Sequence, residues 1–146
     1  MIINGDSAKE LKKFKDNSID AVICDPPYGI EFLAKDWDSN TGAITIWKEC
    51  LRVLKPGGSF YCLEFSKPKT SSINRIYNFY KSNIIPIIGS KVAKNKEAYK
   101  YLEESISQFP NQEILSSQLN QIGFNNISVI NIFNGIVAIH KGFKIL

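Results

Sequence analysis

The chain has 146 residues, 44% of them hydrophobic, and a formal net charge of +4. This size and apolar content fit one soluble domain with a hydrophobic core. No apolar run approaches the length of a bilayer span and no charged-then-apolar leader precedes the first strand-like residues, so we expect a cytoplasmic protein. The three cysteines lack C-x-x-C spacing, which favours reduced, mostly buried thiols over a metal site or a disulfide framework.

Charge is divided unevenly along the chain. Residues 1–58 carry eight Lys/Arg against nine Asp/Glu, whereas residues 59–146 carry ten against five. The excess lies between Lys67 and Lys100, where eight basic residues stand beside a single acid, Glu97. Such a segment suits phosphates or peripheral contact with an anionic membrane surface, and a solvated loop and helix face is the equally weighted alternative.

The first predicted elements are a short helix and a buried strand. Asp6 or Ser7 caps the helix, which is expected to run to about Phe14. The apolar run Ile19–Cys24 has the length and composition of a buried parallel strand. Residues 25–40 are predicted to form a loop.

A second helix and strand follow this loop. Apolar side chains, Trp47 among them, recur at helical spacing over residues 42–54 and predict an amphipathic helix with Trp47 in the core. The segment Lys55-Pro56-Gly57-Gly58 stops it, because proline cannot continue a helix and glycine supplies a turn. Residues 59–65 then return as a strand, which completes a parallel strand–helix–strand crossover.

The second half is predicted to be helical and to end in a hairpin. A basic, aromatic stretch over residues 73–89 is expected to be helical as far as Pro86, where proline ends the helix. Two more helices are predicted, over residues 99–109 and 112–121, the last ending at Gly123. Strands are predicted over residues 126–133 and 136–141, joined by Asn134-Gly135, the strongest short hairpin signal.

The residues Asp25-Pro26-Pro27-Tyr28 follow the first strand and are the clearest chemical signature in the chain. They lie at the carboxyl edge of a parallel sheet, where such folds bind ligands. The Asp25 carboxylate and the Pro26 carbonyl can accept the two N–H bonds of an exocyclic base amine, so that its lone pair points at a methyl donor. Pro26 and Pro27 fix the backbone, and Tyr28 offers a face for stacking the base. These four are the predicted catalytic residues; a proline-rich turn without a chemical role is the alternative.

Several segments of the first half occur together in one enzyme family: Asn4-Gly5-Asp6-Ser7, Asp16-Asn17-Ser18-Ile19-Asp20, Asp25-Pro26-Pro27-Tyr28, Gly29-Ile30 and residues 47–58. With them, residues 1–58 resemble the amino-methylating DNA methyltransferases of the adenine and cytosine-N4 type. The resemblance implies that residues 25–28 hold a target base of DNA beside S-adenosylmethionine.

Another set of segments lies beyond Gly58: Leu63-Glu64-Phe65-Ser66-Lys67-Pro68, Tyr77-Asn78-Phe79-Tyr80, Ile85-Pro86-Ile87-Ile88-Gly89, Tyr99-Lys100-Tyr101-Leu102, Glu104-Ser105-Ile106, Phe109-Pro110 and residues 135–142. With them, residues 59–146 are similar to the ubiquinone/menaquinone biosynthesis C-methyltransferases, which methylate a ring carbon of a prenylated quinol. Residues 52–58 occur in both families, so the sequence reads as a crossover between two methyltransferases that switches there.

Both resemblances imply an α/β fold: part of a Rossmann-like class I methyltransferase sheet, the C-terminal half with a terminal antiparallel hairpin. We expect residues 1–146 to be a single, incomplete methyltransferase domain without the N-terminal strands that carry the cofactor loop. Both families bind S-adenosylmethionine with a Gly-rich turn, and the sequence contains none, so we expect weak cofactor binding by the isolated chain. Asp6 is the best remaining cofactor contact, with an ordinary helix N-cap as the equal alternative.

Two further sets of side chains have competing interpretations. His140, the only histidine, is expected to be structural or to face substrate more readily than to act as a general base. Tyr77, Phe79 and Tyr80 are expected to lie in the core, and contact with bases or a prenyl chain is the alternative.

Three functions remain open at this point. The first is amino methylation of a DNA base through residues 25–28, and the second is C-methylation of a prenylated quinol. The third is a catalytically silent half-domain or a partner subunit, because sheet edges left by absent strands promote association with a second copy or a complementing chain.

Overall fold

The structure, a computed structural model, describes residues 2–25, 42–91 and 96–146. Its helices are α1 (Ser7–Leu11), α2 (Gly42–Val53), α3 (Ser71–Phe79), α4 (Ile85–Lys91), α5 (Lys96–Gln108) and α6 (Gln112–Ile122). A π-helical turn, Tyr80–Ile84, joins α3 to α4, and a 3₁₀ turn, Phe133–Gly135, lies between the last two strands. The strands are β1 (Ile19–Cys24), β2 (Leu54–Phe65), β3 (Asn125–Ile132) and β4 (Val137–Phe143).

The four strands form one sheet in the order β1-β2-β4-β3. The pair β1–β2 is parallel, whereas β4 runs antiparallel to both of its neighbours. Asn134 and Gly135 take left-handed backbone angles, φ 61° and 92°, at the turn between β3 and β4. A parallel crossover followed by an antiparallel hairpin is the predicted arrangement, and the structure confirms the partial Rossmann-like fold.

Helix ends agree with the predicted signals in part. Gly123 has φ 119° and ends α6 in the left-handed conformation that glycine adopts at low cost. Asp6 is the N-cap of α1, but this helix ends at Leu11 and not near Phe14. Its last turn is tight: the amide of Phe14 donates to the carbonyl of Leu11 at 3.0 Å.

The strand β2 begins earlier than predicted. It starts at Leu54 and includes the segment 55–58, which the sequence analysis took as a separate turn. The turn is present as an irregularity inside the strand, because the pairing of β1 with β2 shifts register between Ile19 and Ala21. A side chain at Gly58 would bring its Cβ within 2.8 Å of the Lys55 carbonyl oxygen, which accounts for glycine at this close approach.

The helix predicted to end at Pro86 continues to Lys91, so that prediction is wrong. Proline lacks an N–H and disrupts an α-helix when it lies in the interior. Here Pro86 is the second residue of α4, directly after the π-helical turn, and the amide of Ile85 donates to the carbonyl of Tyr80. The wider turn therefore places Pro86 in a first turn, where a missing donor is tolerated.

Helices α2 and α6 pack on one face of the sheet and form the hydrophobic core with it. The residues of this core cluster are Trp47, Cys50, Leu54, Phe60, Cys62, Phe109, Leu115, Leu119 and Phe124. The rings of Phe60 and Phe124 lie 4.7 Å apart at their centroids. Trp47 is buried as predicted. This face holds the fold together, and we call it the packed face.

The opposite face of the sheet presents apolar side chains to solvent. Strand pairing aligns Ile23 with Tyr61, and aligns Leu63 and Ile130 with Ile139, so these residues share one face. Ile23 is 79% exposed, and Leu63 and Ile130 are exposed as well. We call this surface the open face.

Across residues 2–25, 42–91 and 96–146, none of the helices combines the length and apolar character that crossing a bilayer requires.

Candidate functional site

Asp25 follows the last residue of β1 at the carboxyl edge of the sheet, as the sequence predicts. Its neighbour Cys24 pairs with Cys62 of β2, so Asp25 lies near the C-terminal end of the longer strand. The other three predicted catalytic residues, Pro26, Pro27 and Tyr28, lie outside the described residues. What the structure places is therefore the carboxylate of the signature and the cavities around it.

One cavity, of about 380 Å³, opens between α1, β1 and α2. We call it the α1 cavity. Its volume falls in the range of about 300–1,000 Å³ that is typical of small-molecule sites. It is lined by Ile3, Gly5, Ser7, Glu10, Leu11, Phe14, Val22, Cys24, Asp25, Ile46, Trp47 and Cys50. Asp25 is thereby brought together with the turn that precedes α1.

A smaller cavity, of about 160 Å³, lies at the ends of β2 and β4, and we call it the β2 cavity. Its lining is Asp25, Leu63, Glu64, Phe65 and Val137. Three of these residues are apolar, and Asp25 is the acid of the lining that is exposed, since the Glu64 side chain is buried. Asp25 lines both cavities, which makes it the side chain at their junction.

Asp6 acts as a helix cap in this structure. Its Oδ1 accepts a hydrogen bond from the backbone amide of Lys9 at 2.9 Å. Gly5 and Ser7, on either side of it, line the α1 cavity, whereas Asp6 is not among the residues that line it. The cap interpretation is confirmed, and the role of Asp6 as a cofactor contact stays a prediction.

Arg52 holds α1 in place against α2. Its guanidinium donates to the carbonyls of Leu11 and Phe14, at 2.9 Å each, and pairs with Asp16 and Glu49. The planar fork of arginine suits such a set of acceptors. One wall of the α1 cavity therefore depends on a residue of α2 that lies outside it.

The three cysteines, far apart in sequence, converge beside Asp25. Cys24 pairs with Cys62 across the strands, and Cys24 and Cys50 both line the α1 cavity. Burial, and next the neighbouring Cys24, raise the pKa of Cys50 to about 12. The hydrogen-bonding neighbour Cys24, and next burial, raise the pKa of Cys62. Both thiols therefore stay protonated at neutral pH, which makes them poor nucleophiles.

Trp47 contributes a buried polar atom to the same region. Its indole N–H is enclosed and has no hydrogen-bond acceptor within the described part of the chain. Leaving a buried donor unpaired costs about 1–3 kcal/mol. Because Trp47 lines the α1 cavity, an acceptor on a bound molecule is a chemically suitable partner for this region.

His140 is buried on β4 and has a structural contact. Its Nε2–H donates to the backbone carbonyl of Gln112 at 3.2 Å, since a carbonyl oxygen can only accept. Burial lowers the pKa of His140, and the bond to Gln112 opposes this in part. The neutral ring joins the last strand to the start of α6, in agreement with a structural role.

Two buried polar side chains near the site were not singled out from the sequence. Glu64 and Ser66 are buried on the packed face at the end of β2, and Glu64 lines the β2 cavity. The sequence signal that could have found them is the alternation of side chains between the two faces of a strand. In β2 this alternation puts both residues on the same face as Phe60 and Cys62. A carboxylate is rarely buried at a core-facing position, so Glu64 is the unusual residue of this strand.

The similarity to known proteins extends over nearly all of the chain. The model of the ubiE/COQ5 methyltransferase family matches residues 4–144. The chain belongs to this family. The match runs through both segments that the sequence analysis assigned to different families, and it supports the quinone-biosynthesis resemblance. The resemblance of residues 1–58 to DNA methyltransferases is not shown by it.

Curated relatives agree with the family. The chain is 46% identical over 139 residues to the ubiquinone/menaquinone biosynthesis C-methyltransferase UbiE of Rickettsia felis. This alignment covers 95% of the chain and 52% of the relative. The chain thus spans about half the length of the curated relatives it matches.

Solved structures show the same fold at low sequence identity. A SAM-dependent methyltransferase of Thermotoga maritima, described as a possible histamine N-methyltransferase, matches with a TM-score of 0.58 and 18% identity, covering 99% of this chain and 64% of that one. A putative DNA modification methylase of Thermus thermophilus matches with a TM-score of 0.53 and 17% identity, over 96% and 50% of the two chains. These likenesses confirm the methyltransferase fold class.

Proposed function

We propose that this chain forms the acceptor side of an S-adenosylmethionine-dependent C-methyltransferase that acts on the ring of a quinol in ubiquinone/menaquinone biosynthesis. Support comes from the family match over residues 4–144 and from a relative of that name at 46% identity. Because the chain covers 52% of this relative, activity and substrate remain proposals for the chain.

The observation that carries the proposal is the position of Asp25 between two cavities. The α1 cavity is large enough for much of a nucleoside-based cofactor, whereas the β2 cavity, at about 160 Å³, is large enough only for part of a substrate. A methyl transfer needs a donor and an acceptor on opposite sides of the reacting atoms. Asp25 lies where such a pair would meet.

The chemistry of ring methylation fits the residues of the β2 cavity. A ring carbon beside a phenolic hydroxyl becomes a better nucleophile when the hydroxyl proton is drawn away. In the proposed role, the Asp25 carboxylate accepts this proton or holds it in a hydrogen bond. Leu63, Phe65 and Val137 pack on the ring and exclude water, which strengthens that interaction. S-adenosylmethionine, when bound, would supply an electrophilic methyl group and leave as S-adenosylhomocysteine, and the methylated ring carbon would lose its proton to solvent to restore the aromatic ring.

The α1 cavity offers contacts for the cofactor in part. We propose that the backbone around Gly5 and Ser7 and the Trp47 region contact its adenosine portion. The Asp6 carboxylate would join them by leaving its cap on α1, since it does not line the cavity in this structure. The described residues include no Gly-rich turn of the kind expected for this cofactor. We therefore expect weak binding of S-adenosylmethionine unless a second polypeptide completes the site. This interpretation keeps residues 1–146 as one incomplete domain that pairs with a second copy or a complementing chain.

Methyl transfer measured on two substrates tests the proposal. The chain is incubated with tritiated S-adenosylmethionine and either a demethylated quinol or DNA, and binding of the cofactor is measured separately by calorimetry. We expect label in the quinol ring, and a loss of about 10²–10⁴-fold with Asp25→Ala if its carboxylate handles the proton. Asp20→Ala is the matched control, since Asp20 is an exposed acid of the same strand that pairs with Lys55.

The outcomes separate the three functions. Label in DNA and not in the quinol would support amino methylation through residues 25–28, the second candidate, which rests on the Asp-Pro-Pro-Tyr signature. If calorimetry shows no heat of binding with S-adenosylmethionine at millimolar concentration, both enzymatic functions are contradicted. The catalytically silent half-domain or partner subunit is then the function that remains. An Asp25→Ala variant as active as Asp20→Ala would remove Asp25 from the mechanism.

A further inference from the structure

The helices α3 and α4 and the π-helical turn between them form a continuous helical segment, here called the 71–91 helix, that exposes an apolar ridge. The ridge consists of Ile76, Phe79, Tyr80, Ile84, Ile87 and Ile88, all of which are exposed. They recur at intervals of three or four residues, which places them along one side of the helix. Ile76 is 70% exposed and Phe79 is 63% exposed, so the prediction that Phe79 and Tyr80 lie in the core is wrong.

The other side of this helix is already occupied. Lys81 is only 7% exposed, and its ammonium donates to the hydroxyl of Ser107 on α5 and lies 3.9 Å from a carboxylate oxygen of Glu103. The hydroxyl of Ser82 also reaches Glu103, at 3.3 Å. Burial, and next Tyr80, raise the pKa of Tyr77. The helix is therefore fixed to the protein by one side, and the ridge faces away from that attachment.

Charge on the segment that carries the ridge has one sign. The sequence has no acid from residue 66 to residue 96. Lys67, Lys69 and Arg75 are exposed around the start of the helix, and none of them makes an ion pair within the residues that the structure describes. A cluster of basic side chains thus borders an apolar surface.

From this combination we propose that the 71–91 helix docks on an anionic lipid bilayer. An interfacial helix inserts an apolar side about 5–10 Å into the boundary of headgroups and acyl chains, while basic side chains meet the lipid phosphates. An anionic bilayer supplies hydrocarbon and negative charge together. A second copy of the chain fits less well, because a twofold contact through this ridge brings the same basic side chains toward each other.

The docking surface is independent of the proposed function, since binding to vesicles requires neither cofactor nor substrate. For a quinol carrying a prenyl chain, the two would act together: the ridge would hold the protein at the surface where such a substrate is dissolved. Failure of methyl transfer therefore leaves the lipid contact in place, and failure of the lipid contact leaves the methyl transfer in place.

Co-sedimentation with vesicles tests the inference. The wild-type chain is expected to sediment with phosphatidylcholine vesicles that contain about 30% phosphatidylserine, and much less with phosphatidylcholine alone. Phe79→Glu and Ile87→Glu should each weaken binding about tenfold or more, because an apolar side chain that enters the bilayer on docking is replaced by a charge. Arg75→Gln should weaken it about fivefold, the effect expected of one basic residue near an anionic surface.

Ile114→Glu is the matched control. Ile114 is 50% exposed on α6, a helix that does not contribute to the ridge, and this variant should bind vesicles like the wild type. Insertion is measured separately with Phe79→Trp and Ile114→Trp in vesicles of brominated lipid. Quenching of the fluorescence is expected to be stronger with Phe79→Trp than with Ile114→Trp.

Four results would overturn the docking surface. They are no sedimentation of a folded wild-type chain with anionic vesicles, equal losses in Phe79→Glu and Ile114→Glu, and quenching no stronger in Phe79→Trp than in Ile114→Trp. The fourth is a dimer in size-exclusion chromatography that Phe79→Glu converts to monomer while vesicle binding is absent, which would assign the ridge to a second copy.

Discussion

The packed face and the open face of the same sheet differ in how their apolar side chains are covered. On the packed face, Leu54, Phe60 and Cys62 are fully buried under α2 and α6. On the open face, Ile23, Leu63 and Ile130 are exposed, although strand pairing gives them comparable positions. Sheets of the doubly wound kind have both faces covered by helices. The stability of the described residues therefore comes from one layer of packing, and the open face is suited to receive another.

The largest expected effect lies on the packed face. Leu119→Ala removes a fully buried side chain from the core and should lower the free energy of unfolding by about 2–5 kcal/mol. Ile130→Ala on the open face removes a side chain that is 53% exposed and should cost less than about 1 kcal/mol. Urea denaturation of both variants measures the difference. Equal losses of unfolding free energy in the two variants would mean that the open face is covered in solution.

A smaller and more local effect is expected at the margin of the packed face. Arg52→Ala removes the donors that hold the carbonyls of Leu11 and Phe14, so α1 should detach from α2 more often. We expect faster amide hydrogen exchange in Ser7–Leu11 and weaker cofactor binding, with less global destabilisation than Leu119→Ala causes. Arg52→Lys keeps the charge without the planar fork and should give an intermediate exchange rate. An unchanged exchange rate in Arg52→Ala would show that α1 is held by other contacts.

The smallest effect is a pH dependence that originates on the packed face. Burial lowers the pKa of His140 from its ordinary value of 6.5, so the unfolded chain takes up a proton there before the folded chain does. The free energy of unfolding should therefore decrease as the pH falls below about 6.5. His140→Gln retains an N–H donor for the Gln112 carbonyl and should show a shallower decrease in that window. Identical slopes in the variant and the wild type would exclude His140 as the source.

Much of the fold could be predicted from the sequence because its signals are local. The apolar run Ile19–Cys24 and the Asn134-Gly135 turn each depend on a few neighbouring residues, and the structure confirms both. Pro86 shows the limit of such reasoning. A π-helical turn placed it in a tolerated position, and this depends on backbone hydrogen bonds that residue type alone does not specify.

The candidate site could be predicted only in part. The sequence indicates Asp25 through its position after a strand, but not that it joins two cavities. The sequence also gives no sign that Cys24, Cys50 and Cys62 converge, because 12 to 38 residues separate them along the chain. Convergence of this kind depends on strand register and helix packing, which bring together residues that are distant in sequence.

By itself, the sequence determined the α/β class, the terminal hairpin, the basic stretch after Lys67 and the carboxylate at the end of β1. These follow from residue spacing and backbone preferences, which act over a few positions. The tertiary structure decided which sheet face is packed, that Cys24, Cys50 and Cys62 converge, and that Phe79 faces outward and not into the core. Helical periodicity places an aromatic residue on one side of a helix, but only the neighbouring elements decide whether that side is buried.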